Sequence, residues 1–164
     1  MKVFIKNKLI SWGGSSTVLN ENEDPIFNVK GKVFTFTRKK NLLDKEGNLL
    51  YIIKNRWFNM FAHKVYIYDA DKNKVATIKK NKFSFNLNYE ILDCVDEMKI
   101  EGKFFTGRSQ ILRNGEQVGV ISRESSLIVD SFSLEADEKD IPFFTAIVVA
   151  FDNLNDEKDR DLRK

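Results

Sequence analysis

Cysteine, histidine and proline are nearly missing from this chain, and each scarcity closes off a class of answers. One cysteine, Cys94, cannot form an internal disulfide, so the expected compartment is the reducing cytoplasm. The single histidine, His63, lies about thirty residues away, which disfavours both a clustered metal site and a Cys–His nucleophile pair. With only Pro25 and Pro142, neither a Pro-rich linker nor a disordered arm is expected, and there is no low-complexity run. The opening MKVFIKNKLISWGG lacks the apolar stretch and small-residue cleavage site of a secretory signal.

Catalytic and cofactor-binding constellations are scarce as well. Gly13-Gly14-Ser15-Ser16 is not followed by the Gly-Lys-Ser/Thr of a phosphate loop and reads as a turn. The acidic sets Asp69/Asp71 and Asp93/Asp96/Glu97 lack EF-hand spacing, and turn chemistry accounts for the first of them. His63 reads as a strand or turn residue, and Cys94 as a small core residue. The expectation is a protein that is not an enzyme, with no metal and no cofactor.

What the chain does hold is one dense apolar stretch, residues 141–154 (IPFFTAIVVAFDNL). As a helix it has no polar face, which places it inside a protein or inside a membrane. Fourteen residues at about 1.5 Å each reach roughly 21 Å, short of the roughly 30 Å hydrocarbon core of a bilayer. It therefore reads as a buried central helix, with Asp140 as a cap, Pro142 in the first turn, and Phe143, Phe144, Ile147, Val148 and Phe151 as its core. Residues 155–164 mix four acids with four bases and have little to bury, so a charged, frayed helical tail is expected after a single domain over residues 1–154.

The rest of the chain reads as strands. Residues 17–30, 42–54, 65–79 and 110–122 share one plan: a short apolar strand, a turn of Asn, Asp or Gly, and a return strand. Val29, Ile53, Ile78 and Ile121 hold equivalent places in the four returns. Aromatic clusters follow three of these hairpins: Phe34 with Phe36, Trp57 with Phe58, and Phe83 with Phe85. Residues 3–12, 97–105 and 126–134 alternate too. About a dozen short strands around one apolar helix point to a closed barrel, which removes sheet edges and leaves an interior that the helix fills.

Charge is unevenly shared. Residues 135–164 carry nine acids and five bases, whereas residues 1–134 carry fifteen acids and twenty-two bases. Two basic clusters, Arg38-Lys39-Lys40 and Lys79-Lys80 with Lys82, sit at predicted strand ends, where they are candidates for contacting an anionic phospholipid headgroup. The same lysines would also serve as solvated strand ends. Phe83 next to Lys82, and Phe34 near Lys32, suggest nucleic-acid stacking at first sight. Strand alternation turns the rings inward, which disfavours that partner.

In their order and spacing several stretches resemble the LURP-one-related proteins, especially the small bacterial YxjI-like members, within the tubby C-terminal and phospholipid-scramblase superfamily. They are Ile5-Lys6-Asn7-Lys8 with Ser11-Trp12-Gly13, residues 29–34, Tyr66-Ile67-Tyr68-Asp69, Ile78-Lys79-Lys80 followed by Phe83-Ser84-Phe85, Tyr89-Glu90-Ile91 leading to Ile100-Glu101-Gly102, and the late apolar helix. The resemblance implies a mainly β, closed antiparallel barrel of about twelve strands threaded by the C-terminal helix. Tubby domains bind phosphoinositides, scramblases are linked to lipid movement, and plant relatives to defence. The phosphoinositide-binding lysine and arginine of tubby find no match here, nor does the Ca²⁺-binding or cysteine-rich segment of scramblases. Taken together, the expected function is a non-enzymatic cytoplasmic binding or scaffold module that is peripheral to an anionic membrane surface. The alternative is a module acting through a protein partner without lipid affinity.

Overall fold

Twelve strands close into one antiparallel barrel, as the computed structural model shows for residues 1–7, 15–31, 39–56, 64–80, 89–102, 107–125 and 130–161. In chain order they are β1 (Lys2–Asn7), β2 (Ser16–Leu19), β3 (Pro25–Gly31), β4 (Lys40–Asp44), β5 (Leu49–Asn55), β6 (Lys64–Asp69), β7 (Lys74–Lys80), β8 (Tyr89–Leu92), β9 (Met98–Gly102), β10 (Arg108–Arg113), β11 (Glu116–Ser125) and β12 (Asp130–Ala136). Each strand pairs with its sequence neighbour. β1 closes the ring on β12, with Val3 opposite Leu134 and Ile5 opposite Phe132. Closure of this kind leaves no unpaired strand edge.

Period-two patterning decides which side chains enter the barrel. Val3 and Ile5, Ile53, Val65 and Ile67, Ala76 and Ile78, Ile111, Ile121 and Leu134 are all buried. The four expected hairpins are present as β2–β3, β4–β5, β6–β7 and β10–β11, and Val29, Ile53, Ile78 and Ile121 are all buried. Three of the turns share one design. Asp44 and Asp69 each accept the backbone N–H and the side-chain amide of the residue four positions on, Asn48 and Asn73. In the β2–β3 turn the types are exchanged, with Asn20 Oδ1 accepting from the Asp24 N–H. The residue before the last takes a left-handed backbone in each: Glu23 at φ 63°, Gly47 at 92° and Lys72 at 69°. The aromatic clusters at 34–36, 57–58 and 83–85 lie outside the described residues, as does His63.

The interior is filled by α1 (Ile141–Asp161), which follows a short 3-10 turn at Glu138–Asp140. Phe144, Ile147, Val148 and Phe151 are buried, and Phe143 is half-buried with its ring 5.8 Å from that of Tyr51 on β5. Phe151 meets Tyr89 of β8 edge-on at 4.5 Å.

The backbone of α1 continues past the buried part through Asp161, because Glu, Lys and Arg sustain a helix already nucleated by the buried turns. Asp140 has a different partner from the one expected of a cap. It lies in the 3-10 turn, and its carboxylate accepts two hydrogen bonds from the Arg113 guanidinium, at 3.1 and 2.7 Å.

Candidate functional site

Antiparallel order sorts the connections into two groups. The turns after β2, β4, β6, β8 and β10 and the link from β12 into α1 gather at one end, and the connections after the odd-numbered strands join strand ends at the other. In the sequence, the first group (20–24, 44–48, 69–74, 93–97, 113–116 and 137–140) carries fourteen acids against five bases, a balance of −9. Of the second group the described residues (15, 39–40, 56, 64, 80, 107–108 and 130) carry six bases against one acid, a balance of +5. The chain's net charge of +3 conceals opposite balances in the two sets of connections among the described residues.

The acidic end is fixed by internal pairs. Arg113 spans Asp140 and, at 3.7 Å, Asp96, and its guanidinium lies 5.5 Å from the centre of the Phe144 ring. The start of α1 is thereby clamped to β10. Asp93 accepts from Thr77 Oγ1 at 2.6 Å and pairs with Lys74 at 2.9 Å, and these two contacts hold its carboxyl below the ordinary range. Cys94 is half-buried beside it, and burial, reinforced by Asp93 and Asp96, pushes its thiol up to about 11. Burial likewise pushes Tyr89 up to about 12. Both groups stay protonated at neutral pH, and neither offers an activated nucleophile.

At the basic end the described candidate residues share an end but not a face. Lys40 is in phase with the inward-facing Leu42 and is buried, its side chain only 7 % exposed. Its ammonium donates to Asp152 Oδ2 of α1 at 3.1 Å, so this lysine is withdrawn from the surface cluster. A buried ammonium is tolerated because the carboxylate meets it. Asn55 at the end of β5 and Asn153 on α1 are buried at the same end. Lys39, one residue earlier, is half-buried. Lys79 faces outward, out of phase with the buried Ile78, and pairs with Glu90 at 3.5 Å. Lys80 ends β7, while Arg38 and Lys82 lie outside the described residues.

Sequence reasoning missed Asp152, Asn55 and Asn153. Asp152 carried a readable signal as an acid inside an apolar run. Two consecutive lysines also cannot both face outward from one strand.

Among the described residues no helix is long and apolar enough to cross a membrane, and no group of three or more His, Cys, Asp or Glu residues is placed to hold a metal ion.

Comparison with known proteins agrees with this architecture. No match was found among curated proteins. A crystal structure of a protein from Arabidopsis thaliana shares the fold, with a TM-score of 0.60 over 94 % of this chain and 91 % of that one at 14 % identity. The sequence pattern described as LURP-one-related matches residues 1–152, from the first strand to the Asp152 that meets Lys40. This twelve-stranded barrel with its central helix thus belongs to the LURP-one-related family.

Proposed function

We propose that the protein is a non-catalytic binding module that docks, basic end first, on a surface of anionic phospholipid headgroups. The observation that carries this reading is the segregation of charge between the two sets of connections, +5 after the odd-numbered strands and −9 after the even-numbered ones among the described residues. A Lys or Arg near an anionic membrane contributes roughly 1 kcal/mol, so four reaching the headgroups would supply roughly 4 kcal/mol. The acidic end would be repelled, which favours an end-on approach.

Co-sedimentation with vesicles tests it. Phosphatidylserine/phosphatidylcholine vesicles should retain the protein at low salt and release most of it near 0.15 M, where the screening length is about 8 Å. Phosphatidylcholine alone should not bind. Arg38→Glu with Lys39→Glu should abolish binding in a protein that still melts cooperatively. No binding to anionic vesicles at low salt would rule this reading out.

The second reading is a module that works through a protein partner. Val95 and Leu92, both exposed at the β8–β9 turn, favour it. A partner retained at high salt and lost in Val95→Asp would support it.

A further inference from the structure

We propose that the β8–β9 turn is a preorganised apolar tip, headed by Val95, that docks into a lysine- or arginine-rimmed apolar socket on a protein partner.

Among the described residues only Met1, Leu92 and Val95 are large apolar side chains left exposed, and Val95 is the one wholly in solvent. A single valine on a loose loop would mean little. This one is held out by its surroundings. Cys94, the residue before it, turns inward and packs against the core. Asp93 takes a left-handed backbone, φ 64°, and its carboxylate is gripped from β7 by Thr77 at 2.6 Å and Lys74 at 2.9 Å. The far side of the turn is stitched to the β10–β11 turn. Asn114 donates its backbone N–H to the Glu97 carbonyl at 2.8 Å and its side-chain amide to Asp96 Oδ1 at 3.2 Å, while the Glu97 N–H donates to Asn114 Oδ1 at 3.1 Å. Contacts on both flanks fix the turn before a partner arrives, so little loop ordering is left to oppose binding. Leu92, out of phase with the buried Ile91, adds a second exposed apolar side chain at the foot of the turn.

Charge selects the occupant. The segments 93–97, 113–116 and 137–140, joined through Asn114 and Arg113, carry seven acids against two bases. Lys74 and Lys99 pair with two of those acids, and the excess stays negative. An apolar tip with acidic flanks repels an anionic surface and draws a basic one. The tip stands at the end opposite the basic connections, so a membrane contact there and a partner here do not compete.

This inference rests on the protein-partner reading above and gives that partner its chemistry. The probe is a synthetic peptide of leucine and lysine, compared with an all-lysine peptide of equal charge at physiological salt. Amide chemical shifts locate the contact, and anisotropy of the labelled peptide measures it. The leucine–lysine peptide should shift residues 92–97 and 113–116, and the all-lysine peptide should bind about tenfold more weakly or worse. Val95→Asp should lower the affinity about tenfold while leaving the Tm almost unmoved, since the side chain it replaces is fully exposed. Glu116→Lys, on the exposed neighbouring turn, should weaken binding severalfold. Binding that Val95→Asp leaves intact overturns the proposal, and so does a contact that maps elsewhere; either leaves the protein-partner reading standing. No binding of the leucine–lysine peptide rejects the basic occupant. Self-association lost in Val95→Asp would assign the tip to a second copy of this chain and overturn the proposal as well. The protein-partner reading falls separately, if the unsubstituted protein retains no partner at high salt.

Discussion

A lysine enclosed like Lys40 destabilises the fold by several kcal/mol whenever its counter-charge is removed. Asp152→Leu is therefore expected to cost about 3–5 kcal/mol in urea unfolding. Lys40→Met should cost less, because the 23 % exposed Asp152 keeps partial access to water. The double variant Lys40→Met/Asp152→Leu should return to within about 1 kcal/mol of the parent, so that the cycle shows strong coupling. Thr145 is the opposite case. It is fully buried on α1, and its Oγ1 has no hydrogen-bond partner among the described residues. Thr145→Val keeps the shape and removes the stranded hydroxyl, so an increase of about 1 kcal/mol in the unfolding free energy is expected. The basic clusters were legible in the sequence as charge. Their orientation was not, because consecutive lysines have no period until a neighbour such as Leu42 sets the phase.

Among the elements, hairpins were the most readable, since Asp44 through Asn48 and Asp69 through Asn73 carry their own turn chemistry. Their shared design also supplies an internal control. Gly47 adopts the left-handed backbone at no steric cost, whereas Glu23 and Lys72 adopt it with a Cβ. Glu23→Gly and Lys72→Gly should each leave stability unchanged or raise it by up to about 1 kcal/mol, while Gly47→Ala should lower it by about 1 kcal/mol. Thermal unfolding of the three variants would check the pattern. The stretch beyond Leu154 was readable as a helical tail, but its last helical residue was not. Hydrophobic periodicity marks the part of a helix that is buried, up to Leu154, and is silent about turns that continue on backbone hydrogen bonding alone.

For the whole molecule, the barrel wall and its filling stand or fall together, because almost every inward side chain belongs to the same core as α1. Val148, 1 % exposed, is surrounded by that core, and Val148→Lys should abolish the cooperative melt rather than lower it. A variant that stayed soluble and melted sharply would show that the helix is dispensable. The segregation of charge between the two sets of connections was not visible in linear charge counts. Successive connections go to opposite ends, so acidic and basic stretches alternate along the chain and separate only once the strand order is known.

The order of elements along the chain has a consequence for biosynthesis. Strand β1 must wait for β12 to close the ring, and the helix that fills the ring is made after every strand. Each nascent strand leaves the ribosome with half its surface apolar and no interior to enter. Chaperones therefore have something to hold until α1 emerges. A chain interrupted before Ile141 would lack the filling of its own core, and proteases would find it open.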